Sequence, residues 1–101
     1  MVHIEVTNWC PIIKNQEVTD KYLELMQDPG VPSSVKSFKI YTKFARPGIE
    51  TRSYLEIEPG KLQEAFTDLG QFMAGFSDIE GFCFEFAVVS SIEEALAAQQ
   101  D

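Results

Sequence analysis

The hydrophobic period of this chain switches back and forth between two residues and about 3.6, and that alternation restricts the fold more than any motif does. Val2, Ile4 and Val6 alternate with His3, Glu5, Thr7 and Trp9, the pattern of a strand buried on one face. Val18, Tyr22, Leu25 and Met26 then recur at helical spacing, with Asn15 placed to cap the helix start. The stretch DPGVPSS ends that helix, because its prolines and glycine cannot continue it. From Ser37 to Glu58 the period returns to two, interrupted by RPGI, where Pro47-Gly48 suits the middle of a type II turn. Leu62, Phe66, Leu69, Met73 and Phe76 make a second helical stripe, and FCFEFAVVS alternates once more. Ser91 followed by Glu94 is a capping box that opens a short tail helix, IEEALAAQQ.

Strand, helix, hairpin, helix, strand is the split βαβ order of an α+β, ferredoxin-like βαββαβ fold. Right-handed crossovers give a four-stranded antiparallel sheet in the order 4-1-3-2, with both main helices on one face. A hairpin tip at Pro47-Gly48 pairs Lys43 with Arg52, Tyr41 with Tyr54, Ile40 with Leu55 and Phe38 with Ile57. Apolar residues then meet apolar ones, and the polar pairs are expected on the opposite face.

The element order, with the stretches VKSFKIYTKF, GIETRSYLEIE and FSDIEGFCFEFAVVSSIEEALA, resembles the dimeric α+β barrel superfamily. Within it, the second half of the chain is similar to a small domain-of-unknown-function group. The resemblance implies a homodimer whose sheets pack face to face around a small-molecule cavity. It implies no particular reaction, since that superfamily holds monooxygenases, isomerases and binding modules.

At 101 residues the chain is read as a single domain, 1–101, with enough hydrophobic content, 45%, to bury a core. A net charge of −8 opposes nucleic acid and anionic lipid as partners. No apolar run is long enough to cross a bilayer, and the amino terminus has no signal-peptide pattern, so a cytoplasmic protein with reduced cysteines is expected.

Trp9-Cys10-Pro11 has the look of a redox motif, but a thioredoxin-type site needs a second cysteine where Ile13 stands. Parity also puts Cys10 and Cys83 on opposite sheet faces, so two unbridged thiols are expected. One histidine and no cluster at ligand spacing argue against a metal, and no Gly-rich phosphate loop or catalytic triad stands out. No cofactor is expected.

What remains is the sheet face turned away from the helices. Parity gives it His3, Glu5, Thr7, Trp9, Lys39, Tyr41, Lys43, Arg52, Tyr54, Glu56, Cys83, Glu85 and Val89. That mixture of aromatic and charged groups suits a polar cavity between two sheets. Trp9, Tyr41 and Tyr54 are candidate walls, Lys43 and Arg52 candidate anion holders, and His3 or Glu85 candidate proton acceptors. In the hairpin register above, Lys43 and Arg52 face each other as like charges, which either bend apart into water, meet Glu5 or Glu50, or wait for an anion. Parallel pairing of the first and third strands would bring His3 toward the same end. The first functional reading is therefore a homodimeric small-molecule-binding protein, binding only or acting as a cofactor-independent enzyme on a small organic, anionic substrate. The alternative is a non-catalytic interaction or dimerisation module. RNA binding is a third reading, but TRSYLEIE lacks the aromatic fingerprint of RNA-recognition strands.

Overall fold

A computed structural model of the chain describes residues 2–45 and 48–99. Its elements are β1 (His3–Cys10), a 3-10 turn (Ile12–Lys14), α1 (Asn15–Gln27), β2 (Val35–Ala45), β3 (Gly48–Ile57), α2 (Leu62–Ala74), β4 (Cys83–Val89) and α3 (Ile92–Gln99). The sheet runs β2-β3-β1-β4 with every neighbouring pair antiparallel, which is the expected order read from the other edge. The fold is ferredoxin-like.

The core forms where alternating strand residues meet the helical stripes. Ile4, Val6, Leu55 and Ile57 point at Ala65, Leu69, Phe72 and Met73 of α2, and all are buried. Phe76 lies just past the end of α2 and stacks on Phe82 at a ring separation of 4.7 Å. Helix α1 is different: Val18, Tyr22, Leu25 and Met26 face inward but are only partly buried, and no residue of α1 is fully buried.

Several local expectations change. Asn15 does not cap α1, because Pro11 ends β1 and the Lys14 amide bonds the Pro11 carbonyl at 2.9 Å. The chain therefore winds through a 3-10 turn directly into the helix, and Asn15 is already helical. At the tail, the capping box forms: the Glu94 amide donates to Ser91 Oγ at 3.1 Å, and the Ser91 amide to the Glu94 carboxylate at 3.4 Å.

The hairpin register is shifted by two residues from the expected one. Lys43 faces Glu50, Tyr41 faces Arg52, Ile40 faces Ser53 and Phe38 faces Leu55, so Lys43 and Arg52 are not opposed. Ala45 pairs with Gly48, and the expected Pro47-Gly48 turn falls partly outside the described residues. Parity survives such a shift because it is even, but each cross-strand partner changes. The third strand is also antiparallel to the first, so His3 faces Glu56 at the end of the sheet away from Lys43.

Gly48 has a steric reason. A Cβ there would collide with the backbone carbonyl of Cys10 and lie 3.2 Å from Pro11 Cα. The hairpin can press against the end of β1 only because that side chain is absent. Gly48→Ala is expected to destabilise the protein by about 1–3 kcal/mol through overpacking against backbone. Urea unfolding checks this, and an unchanged midpoint would mean that the two strands do not approach so closely.

Candidate functional site

Sheet pairing arranges the open face as rows running from β2 to β4. Lys43, Glu50, Trp9 and Cys83 form one row, and Tyr41, Arg52, Thr7 and Glu85 the next. Lys39, Tyr54, Glu5 and Ala87 follow, then Ser37, Glu56, His3 and Val89. The structure thus gathers Trp9, Lys43 and Arg52 in adjacent rows at one end. Tyr41 meets Tyr54 edge to face at 6.1 Å. His3 stands in the far row, and Glu85 lies beyond Thr7 on the β4 edge.

Glu50, weighed from the sequence only as a partner for Lys43 and Arg52, is the hub of this face. Trp9 Nε1 donates to its Oε1 at 3.1 Å, and Arg52 Nε donates to Oε2 at 3.1 Å. Lys43 Nζ lies 3.5 Å from the same Oε2, and Arg52 Nη1 lies 3.7 Å from Glu5. The Arg52 hydrogen bond holds the Glu50 carboxyl below the usual carboxylate range, with Trp9 and Lys43 acting in the same direction. Arg52 is raised in turn, first by that bond to Glu50. The two expected anion holders therefore already have a carboxylate between them.

A cavity lies on the other face. A space of about 320 Å³ lies between the sheet and the helix layer. Its walls are apolar, with Val18, Tyr22 and Met26 of α1 on one side and Leu69, Phe72 and Met73 of α2 on another. Its floor carries a polar strip across three strands: Thr42, Thr51 and Asn8, with Ser53 beside them. The Thr42 and Thr51 hydroxyls are 3.2 Å apart. The expectation that polar residues of the hairpin would keep to the open face fails here, because Thr42, Thr51 and Ser53 have helix-side parity in either register; the two-residue shift changes only the partner of Thr42, from Ser53 to Thr51. Those strands are otherwise apolar on that face, and the alignment of the strip across them follows from the register.

None of the lining residues is Asp, Glu, Lys, Arg or His. The titratable groups in the lining are the Cys10 thiol and the Tyr22 phenol, both pushed up by burial and so neutral at pH 7. Cys10 is buried against this cavity while Cys83 is exposed on the open face, and both are free thiols, as parity implies. Trp9, Tyr41, Lys43, Arg52, Tyr54, His3 and Glu85 do not line the cavity. Among the described residues no group of His, Cys and carboxylates is arranged to hold a metal, and no helix is long and apolar enough to cross a membrane.

No family model matches the chain, and no curated protein does. Solved structures match it in fold. A Deinococcus radiodurans protein assigned as an antibiotic biosynthesis monooxygenase superposes with a TM-score of 0.65 at 8% identity, covering 90% of this chain and 92% of that one. The de novo designed protein Foldit4 gives 0.56 at 12% identity, covering 89% and 97%. At these identities the likeness shows the fold alone. It bears out the expected ferredoxin-like fold, and a designed protein sharing that fold shows how little the fold says about chemistry.

Glu50 should be visible in solution through Trp9, the one tryptophan of the chain. A carboxyl whose folded value is depressed stabilises the fold fully above its ordinary value of 4.5, and that stability is lost as pH falls through the folded value. Acid titration of Trp9 emission should therefore show a step below pH 4.5, absent in Glu50→Gln. The variant should melt lower than the parent at pH 7, with the gap closing in acid. A gap that persists unchanged at acid pH would rule out the charge of Glu50 as its source.

Proposed function

We propose that the protein is a homodimeric small-molecule-binding protein whose ligand occupies the helix-side cavity. The observation that carries this reading is a charge-free, apolar space with hydroxyl and amide groups along one strip of its floor. Its volume sits at the low end of small-ligand pockets, about 300–1,000 Å³. Such a lining suits a neutral, largely apolar molecule with one or two hydroxyl or carbonyl groups, held by Asn8, Thr51 and Ser53. An anion would lose its hydration there without a cation to meet it. Neutral thiol and phenol groups favour binding over proton transfer at pH 7.

The self-association half of the proposal rests on charge. The molecule carries −8 overall, so two copies repel. The open face is close to balanced: Glu5, Glu50, Glu56 and Glu85 are set against Lys39, Lys43 and Arg52. Trp9, Tyr41 and Tyr54 add aromatic area, as at the core of protein interfaces. We assign these residues to the contact between copies. A second reading, an interaction module that binds no ligand, is favoured by the same face alone.

Two measurements test the proposal. In a thermal-shift screen of neutral cyclic alcohols and ketones against small carboxylates, the neutral class should raise Tm, by the equivalent of about 2.7 kcal/mol at a hundred times Kd. Ser53→Leu, which fills the cavity floor, should abolish the shift, while Thr51→Val should weaken binding by roughly 3- to 10-fold, the loss of one hydrogen bond. Shifts from carboxylates alone, or equal shifts in Ser53→Leu, would remove the cavity as the ligand site. In sizing, the parent should elute as a dimer and Tyr54→Glu as a monomer. A ligand-blind dimer would favour the interaction module instead.

A further inference from the structure

Polarity in the helix-side cavity is sorted along its length. β3 contributes Thr51, Ser53 and Leu55 in that order, and β1, running the other way, sets Asn8 beside Thr51 and Val6 beside Ser53. β2 repeats the gradient with Thr42, Ile40 and Phe38 in the same three rows. From Thr51 to Leu55 is about 13 Å of strand. Helix α1 follows the same direction. Residues 11–14 alone join it to β1, so it starts at the Cys10 end of the sheet. Residues 28–34 then return its far end to the start of β2, where Val35 pairs with Ile57. Asn15 and Thr19 therefore line the polar end, and Met26 lines the apolar end with Val31.

The polar end is equipped to meet a donor and an acceptor together. Asn8 is half-buried there, with Asn15 and Thr19 on the rim, and none of these three side chains makes a hydrogen bond among the described residues. The Thr42 hydroxyl, by contrast, already lies 3.3 Å from the Glu50 carbonyl and 3.2 Å from Thr51 Oγ1. An asparagine carboxamide offers a carbonyl acceptor and N–H donors side by side. A ketone can satisfy only the donors of such a group, and an alcohol carries its donor and acceptor on one atom. A second carboxamide presents both on separate atoms, in the geometry that asparagine mirrors. A carboxylate has no donor and meets no cation in this lining.

We propose that the ligand of this cavity is a neutral amphipathic carboxamide, with its head on Asn8 and Asn15 and an aliphatic body lying along Val6 and Leu55 toward Met26 and Val31. This rests on the cavity reading above and narrows it from neutral molecules in general to one head group and one direction. The α2 wall is apolar at Leu69, Phe72 and Met73, so it gives the body a surface and the head no competing partner.

Calorimetric titration of the full chain at pH 7 with octanamide, 1-octanol, octanoate and acetamide tests both parts. Octanamide should bind roughly 10-fold tighter than 1-octanol, which keeps the body and changes the head. Octanoate should not bind. Acetamide should bind about a thousandfold more weakly than octanamide, because each buried methylene is worth about fourfold in affinity. Asn8→Leu, and Asn15→Ala on the exposed start of α1, should each cut the preference for octanamide over 1-octanol by roughly threefold. Val31→Asp, at an exposed position of the far end, should weaken both compounds and keep their ratio. If octanamide binds no tighter than 1-octanol, or both asparagine variants keep the full preference, the carboxamide head is wrong while the cavity reading stands. If Val31→Asp leaves both affinities unchanged, the direction of the body is wrong. If neither these two compounds nor the neutral cyclic ones bind, the cavity reading falls and this inference with it.

Discussion

Strand β1 is paired on both sides, to β3 and to β4, and the positions of all other groups depend on those two ladders. A strand with a period of two can satisfy two neighbours only if all three agree on which residues face the helices. Ile4 and Val6 settle that choice because they are almost fully buried. Once they point at α2, Thr7 and Trp9 must point away, and the rows of the open face follow. Gly48 allows the β3 end of the hairpin to close on Cys10.

The helix layer is uneven, and the cavity is the consequence. α2 inserts Ala65, Leu69, Phe72 and Met73 into the core, while α1 keeps its inward side chains only partly buried. A fully packed interface would lose the space beneath α1, at a gain of apolar burial worth roughly 25 cal/mol per Å². Polar atoms on the floor at Thr42, Thr51 and Ser53 make such packing costly, since hydroxyls need partners. The polar strip and the gap under α1 therefore support each other.

Charge is distributed by the same alternation. Glu50 faces Lys43 across one ladder and Trp9 across the other, with Arg52 two residues along its own strand, so a single carboxylate collects three donors. Groups tied together in this way are poorly placed to capture a substrate anion. They are better suited to keeping a face near neutrality in an acidic molecule, which is the condition for two such molecules to meet.

Much of the fold was legible because hydrophobic periodicity is local. The strand and helix stripes, the burial parity of Cys10 and Cys83, the capping box at Ser91 and the order of the sheet all come from residues close in sequence or from general rules of chain crossing. The start of α1 was misread because Pro11 offered a 3-10 entry that competed with Asn15 as a cap. The site was the harder part. Which residue lies opposite Lys43, and whether Thr42 meets Thr51, depends on where a turn closes, and a shift of two residues preserves the periodic signal while exchanging every partner. The cavity depends further on how far α1 stands from the sheet. The sequence by itself determined the elements and their faces, since side-chain period and apolar burial dictate both. Only the tertiary structure decided the register, the role of Glu50 and the empty space over Thr51, because these arise from strand pairing and packing between segments far apart in the chain.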